Sequence, residues 1–195
     1  MKKIFKNRKD FTRGFTLVEL MISVGIFALM TTFLLAKYGK FNQSVLLTNL
    51  AYDIALTIRN AQSYGLNVRS APDGPENFDI AYGVHFATDL PSQYIFFLDA
   101  DKNGVYTGTP QEKIAKYSIK RGSVIDFLCV ANTPLQCSQV GGIDITFKRP
   151  NPDAIIKREG DTDTTFKYAR ITLRATDGST KKIEIRSTGQ IAVTN

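Results

Sequence analysis

Residues 13–21 read Arg13-Gly14-Phe15-Thr16-Leu17-Val18-Glu19-Leu20-Met21 and form a border between two kinds of chain. Before Gly14 the sequence is basic, with Lys2, Lys3, Lys6, Arg8, Lys9 and Arg13 set against Asp10 alone. From Phe15 to Ala36 there is no Lys, Arg or Asp, and Glu19 is the single charge. At an α-helical rise this run spans about 33 Å, enough for a bilayer core of about 30 Å. A carboxylate just inside such a helix costs of the order of 2–4 kcal/mol, so it needs a partner or a task.

The same border explains the net charge. The 195 residues carry a formal +7, which alone would suggest nucleic acid. Residues 1–14 hold a net +5 of this, leaving +2 beyond Gly14. The charge is therefore a topology signal, with the leader cytoplasmic and the C-terminal part outside. A cleaved secretory signal is the other reading, with an apolar region of about 7–15 residues and a small-x-small end. The run here is longer, and before Lys37 it offers Leu34 and Ala36, where Leu fits poorly. A retained anchor is favoured.

Working outward, apolar residues recur at Tyr38, Phe41, Val45, Leu47, Leu50, Ile54, Ile58, Ala61 and Leu66, mostly three or four apart. That stripe predicts an amphipathic continuation of the helix to about Arg69, with Gly25, Gly39 and Gly65 as points where it can bend or melt. Residues 70–79 are a loop by composition. Strand patterns follow at 80–86, 93–98, 113–119, 123–130, 142–148, 168–175 and 181–186, the last two flanking a hairpin signal at Asp177-Gly178. Residues 190–193 read as a last edge strand. The expected class is α+β: a long N-terminal helix packed on a C-terminal antiparallel sheet domain. The expected layout is a leader (1–14), a membrane helix (15–36), its amphipathic continuation (37–69) and an extracytoplasmic globular domain (70–195).

The run Gly14-Phe15-Thr16-Leu17-Val18-Glu19 resembles the prepilin cleavage motif of type IV pilins and type II secretion pseudopilins. The resemblance implies that a prepilin peptidase/methyltransferase of the bacterial inner membrane cuts between Gly14 and Phe15 and methylates Phe15. It also implies that Glu19 serves assembly with other pilin or pseudopilin subunits, pairing with the new amino terminus of a neighbour. The chain is then a single-pass inner-membrane protein before it enters a filament. Three weaker patterns are similar to the GspH/FimT-like minor pseudopilins: Arg59-Asn60-Ala61-Gln62 on the helix, Tyr82-Gly83-Val84-His85-Phe86 with Tyr94–Asp99, and Gly189-Gln190-Ile191.

Other residues offer chemistry of their own. Asp99-Ala100-Asp101-Lys102-Asn103-Gly104 follows the start of a calcium loop, with oxygen ligands at alternate positions and Gly for the sharp turn. Pro110 stands where an EF-hand has its bidentate Glu, and Glu112 follows. Ca2+ bound by Asp99, Asp101, Asn103 and Glu112 is one reading, an ordinary polar turn the other. Cys129 and Cys137 are the only cysteines, and an oxidising compartment favours a disulfide over two free thiols. His85 is the only histidine, so a zinc site is not expected; it reads as a structural strand residue. No nucleophile elbow, zincin motif or phosphate loop is present, so the chain reads as a substrate of processing rather than an enzyme. Arg170 and Arg174, with Lys182 and Arg186 on the following strand, share one face by alternation. DNA is one partner such a face suits, and a solvated sheet surface is the other reading.

Overall fold

The computed structural model describes residues 14–67, 80–133 and 136–195. The basic leader before Gly14, the 70–79 loop and the expected helix end at 68–69 lie outside them, as do the side chains of Tyr38 and Phe41. The elements are α1 (Leu17–Leu66), β1 (Ala81–Ala87), β2 (Gln93–Asp99), β3 (Lys113–Ser118), β4 (Val124–Ala131), β5 (Ser138–Gln139), β6 (Gly142–Phe147), β7 (Ala154–Arg158), β8 (Tyr168–Arg174), β9 (Thr180–Arg186) and β10 (Ile191–Thr194). This is the expected α+β class. The chain divides into two units, Met1–Phe41 and Asn42–Asn195.

In the first unit, α1 starts at a threonine cap. The Thr16 Oγ1 accepts the Glu19 backbone N–H at 3.2 Å, and the Leu20 N–H bonds to the Thr16 carbonyl at 3.1 Å. These bonds satisfy donors that a helix start leaves without partners. Leu17–Leu35 is the one stretch among the described residues long and apolar enough to cross a membrane. Its large apolar side chains are exposed all round, from Leu17 to Leu35. The hydroxyls of Ser23, Thr31 and Thr32 donate back to the carbonyls of Glu19, Phe27 and Ala28, each at 2.8 Å. Three polar groups are thereby satisfied inside the helix, as lipid requires.

In the second unit, α1 buries Leu47, Ala51, Ile54, Ala55, Ile58 and Ala61, a stripe of alternating four- and three-residue steps with Ala55 beside it. Two alanines unremarked in the sequence pattern let the helix lie close. Val45, expected in the stripe, is exposed instead. Tyr64 meets Tyr82 and Phe96 edge-on, with centroids 5.6 and 5.5 Å away. Gly65 is not a weak point. It is a close approach, where an added Cβ would collide with the backbone carbonyl of Phe147. Gly65→Ala is therefore expected to lower stability by about 1–3 kcal/mol through overpacking, despite a helix-propensity gain of up to about 1 kcal/mol. The midpoint of urea unfolding reads this directly, and an unchanged or raised midpoint would contradict the packing account.

The strands form two five-stranded sheets rather than one. Sheet A has the order β3-β2-β1-β6-β7, sheet B the order β10-β9-β8-β4-β5, and all pairs are antiparallel. β8 and β9 form the hairpin around Asp177-Gly178, and β10 is an edge strand. Strands β5 and β7 were not legible in the sequence. One core joins the α1 stripe to Val84, Phe86, Phe96, Ile143, Ile145 and Ile156 of sheet A and to Leu128, Ile171, Leu173, Ile183 and Ile185 of sheet B. Every residue of β1 is buried, because the connection after β2 covers the second face of sheet A. Tyr106 of that connection lies 5.2 Å from the His85 ring and 5.5 Å from the Phe97 ring, centroid to centroid.

Candidate functional site

At the N-terminal border, Gly14 is exposed, has no strained backbone, and would meet nothing within 4 Å if it gained a Cβ. Phe15 is 77% exposed. Glu19 sits at the third helical position, where a negative charge is favoured by the helix dipole. Among the described residues its carboxylate has no partner. The Thr16-x-x-Glu19 spacing is the sequence signature of the threonine cap at the start of α1.

The loop from Asp99 to Glu112 gathers three carboxylates. Asp99, Asp101 and Glu112 each present an oxygen within 4.8 Å of the others, Asp99 and Glu112 being buried and Asp101 exposed. Asp99 closes β2, and its Oδ2 accepts the Gly104 N–H at 3.0 Å. Its Oδ1 is buried without a hydrogen-bond partner. Burial pushes the Asp99 carboxyl up to about 6, and the neighbouring Asp101 and Glu112 add to the rise. Asp101 accepts from the Asn103 N–H at 3.2 Å and from the Asn103 amide at 2.6 Å. Asn103 turns its own side-chain oxygen to the Val105 N–H at 2.7 Å, so it holds the loop's shape. The Glu112 Oε2 accepts the Thr107 N–H and hydroxyl at 2.8 and 2.6 Å. Lys102 and Gly104 adopt left-handed backbone angles, φ 63° and 78°, which glycine takes without strain. Lys157 reaches in from β7, its Nζ bonding the Asn103 carbonyl at 2.6 Å and also the Thr162 carbonyl.

Next to this loop, His85 on β1 pairs with Asp144 on β6, Nδ1 to Oδ1 at 2.9 Å. The same oxygen accepts the Tyr106 N–H at 3.1 Å, tying the loop to sheet A. Burial by itself would lower the His85 pKa. The hydrogen bond and charge of Asp144, with Glu159 and Asp89 further off, outweigh it and leave the pKa raised. The pair thus links β1, β6 and the loop after β2.

Cys129 on β4 and Cys137 are joined by a disulfide, with Cα atoms 5.5 Å apart. The basic residues fall on one face of sheet B, since Arg170, Thr172 and Arg174 stand opposite Glu184, Lys182 and Thr180. Acids share that face. Arg174 bonds Asp126 at 2.7 Å, and Arg170 faces Glu184 while its guanidinium lies 6.0 Å from the centre of the Phe127 ring. Lys182 donates to the Asn195 carbonyl at 3.0 Å, and Arg186 is exposed.

An exposed apolar helix with a single carboxylate near its start, followed by an antiparallel β domain, defines a pilin-like α+β protein and is consistent with a membrane-anchored precursor. Residues 11–35 match the family model of the prokaryotic N-terminal methylation motif, which supports a type IV pilin-like precursor. The motif implies processing by a prepilin peptidase and assembly with other pilins. No curated protein and no solved structure matches the chain.

Proposed function

We propose that this chain is a minor pilin or pseudopilin, a structural subunit of a type IV pilus-like or type II secretion filament rather than an enzyme. The observation that carries the reading is the methylation motif at residues 11–35, which includes Gly14, Phe15 and Glu19. Cleavage after Gly14 removes the cationic leader, so that an apolar helix can leave the bilayer for a bundle of like helices. The cut exposes the amine of Phe15, a cation able to pair with Glu19 of a neighbouring subunit. The chain's GspH/FimT-like patterns favour a minor subunit of that group. The reading of the basic sheet B face as a DNA-uptake surface is weakened by Asp126 and Glu184 upon it.

Intact mass of the protein extracted from its native membrane tests the reading. The expected species lacks residues 1–14 and carries one added methyl group on Phe15. A species that keeps Met1, or one cut near Ala36, would sink it.

A further inference from the structure

We propose that the outer edge of β10 and the neighbouring face of α1 form a docking site for an extended segment of another protein, which pairs with β10 as a further strand of sheet B. Each sheet ends in two edge strands, β3 and β7 in sheet A and β10 and β5 in sheet B. An open edge presents unpaired N–H and C=O groups, and proteins guard such rows with charges, prolines or cover. β3 carries Lys113 and Lys116, both exposed. β7 is covered by Phe166, whose N–H bonds the Ile156 carbonyl at 2.8 Å. β5 has only two residues. β10 reads Ile191-Ala192-Val193-Thr194, with no charge and no proline, and no strand of the described residues pairs with its outer edge.

A second observation lies beside that edge. Ile191 and Val193 stand opposite Ile185 and Ile183 of β9 and share their inward face. Next to them a groove of about 380 Å³ opens between β10 and α1, where Tyr52 and Leu56 stand one helical turn apart. These two are 59% and 57% exposed, although Ala51, Ile54, Ala55 and Ile58 on the same helix are buried. Sheet B is thus one strand too narrow to cover this face of α1. A strand added to β10 sets its own inward side chains over Tyr52 and Leu56. The edge selects an extended backbone, and the groove selects apolar side chains at alternate positions. Asp53 and Arg59 also line the groove, one charge of each sign, so net charge does not choose the occupant. A second copy of this chain fits less well, because its β10 comes backed by its own α1, which competes for the space of the groove. The whole site lies within Asn42–Asn195 and stands independently of the assembly role proposed for Glu19.

The test uses the full chain in detergent micelles and a fluorescein-labelled peptide that alternates threonine and valine, read by fluorescence anisotropy against empty micelles. Saturable binding is expected, with a dissociation constant below about 1 mM. The same peptide methylated on every backbone nitrogen keeps its side chains but cannot donate to the edge, and should bind at least about tenfold more weakly. Leu56→Lys changes an exposed side chain and leaves the core intact, so it is expected to fold and to weaken peptide binding at least about tenfold. Ile114→Lys, on the guarded edge strand β3, should bind the peptide as the native chain does. No saturable binding at ~1 mM peptide would overturn the proposal. So would equal binding of the methylated peptide, or native-like binding by Leu56→Lys. A concentration-dependent dimer that Leu56→Lys dissolves, seen by sedimentation, would overturn it in favour of a second copy.

Discussion

Glu19→Ala is expected to enter the membrane and lose its leader, yet to be depleted at least about tenfold from sheared filaments relative to the membrane pool, a change equivalent to about 1.4 kcal/mol or more. A carboxylate in an apolar helix costs of the order of 2–4 kcal/mol. Removing the charge makes insertion easier, so a shortage in the membrane is not expected. On the proposed function, what disappears is a partner for the Phe15 amine of the adjacent subunit, and with it the interaction that would fix the axial stagger between packed helices. Thr16→Ala separates this from a defect at the helix start. It removes the Thr16 Oγ1 bond to the Glu19 N–H and costs about 1 kcal/mol of helix stability, but leaves the charge and should leave incorporation nearly intact. Quantitative immunoblots of filament and membrane fractions read both variants. Full incorporation of Glu19→Ala would remove the assembly role of that carboxylate.

What the sequence made legible follows the range of the interactions concerned. The apolar run after Gly14 and the stripe through Leu47, Ile54, Ile58 and Ala61 are local periodicities, and helix formation is local. Strands β1, β2, β6, β8 and β9 announce themselves by aromatic and β-branched residues between turns. β7 did not, because Ala154–Arg158 follows two prolines and carries Lys157, which looks like a surface charge until its burial against two carbonyls is known. The two-residue β5 is too short for any pattern. Alternation tells which side chains share a face but not which strands are neighbours. The division into two sheets rests on the β1–β6 and β4–β8 pairs, which join distant stretches of the chain. The same rule divides the polar clusters. Asp99, Asp101 and Glu112 lie in one loop, so their meeting is foreshadowed by the calcium-loop spacing. His85 and Asp144 are 59 residues apart, and nothing local in either strand reveals the pair.

That pair carries the second large effect. Asp144 is fully buried, and its Oδ1 accepts from both His85 and the Tyr106 backbone, so it joins β1, β6 and the covering loop. Asp144→Asn keeps the shape but removes the charge that favours the protonated form of His85. Breaking a buried ion pair from one side costs about 3 kcal/mol or more, because the remaining group stays desolvated without its counter-charge. The sign with pH follows from the raised His85 pKa. In the native fold His85 binds its proton more tightly than an unfolded histidine near 6.5 does. The stabilisation from the pair is therefore complete below that value and is lost as pH rises through the higher folded value. In Asp144→Asn, burial is opposed only by the more distant Glu159 and Asp89, so the charge of the imidazole is less favoured and acid stabilises the variant less than the native chain. The stability gap between native and variant is expected to be wide below the ordinary histidine value of 6.5 and to narrow as pH rises through the higher folded value. Urea unfolding at a series of pH values measures the gap. A gap that stays constant or widens with rising pH would show that Asp144 acts through shape and hydrogen bonding to Tyr106 alone, without the charge of His85.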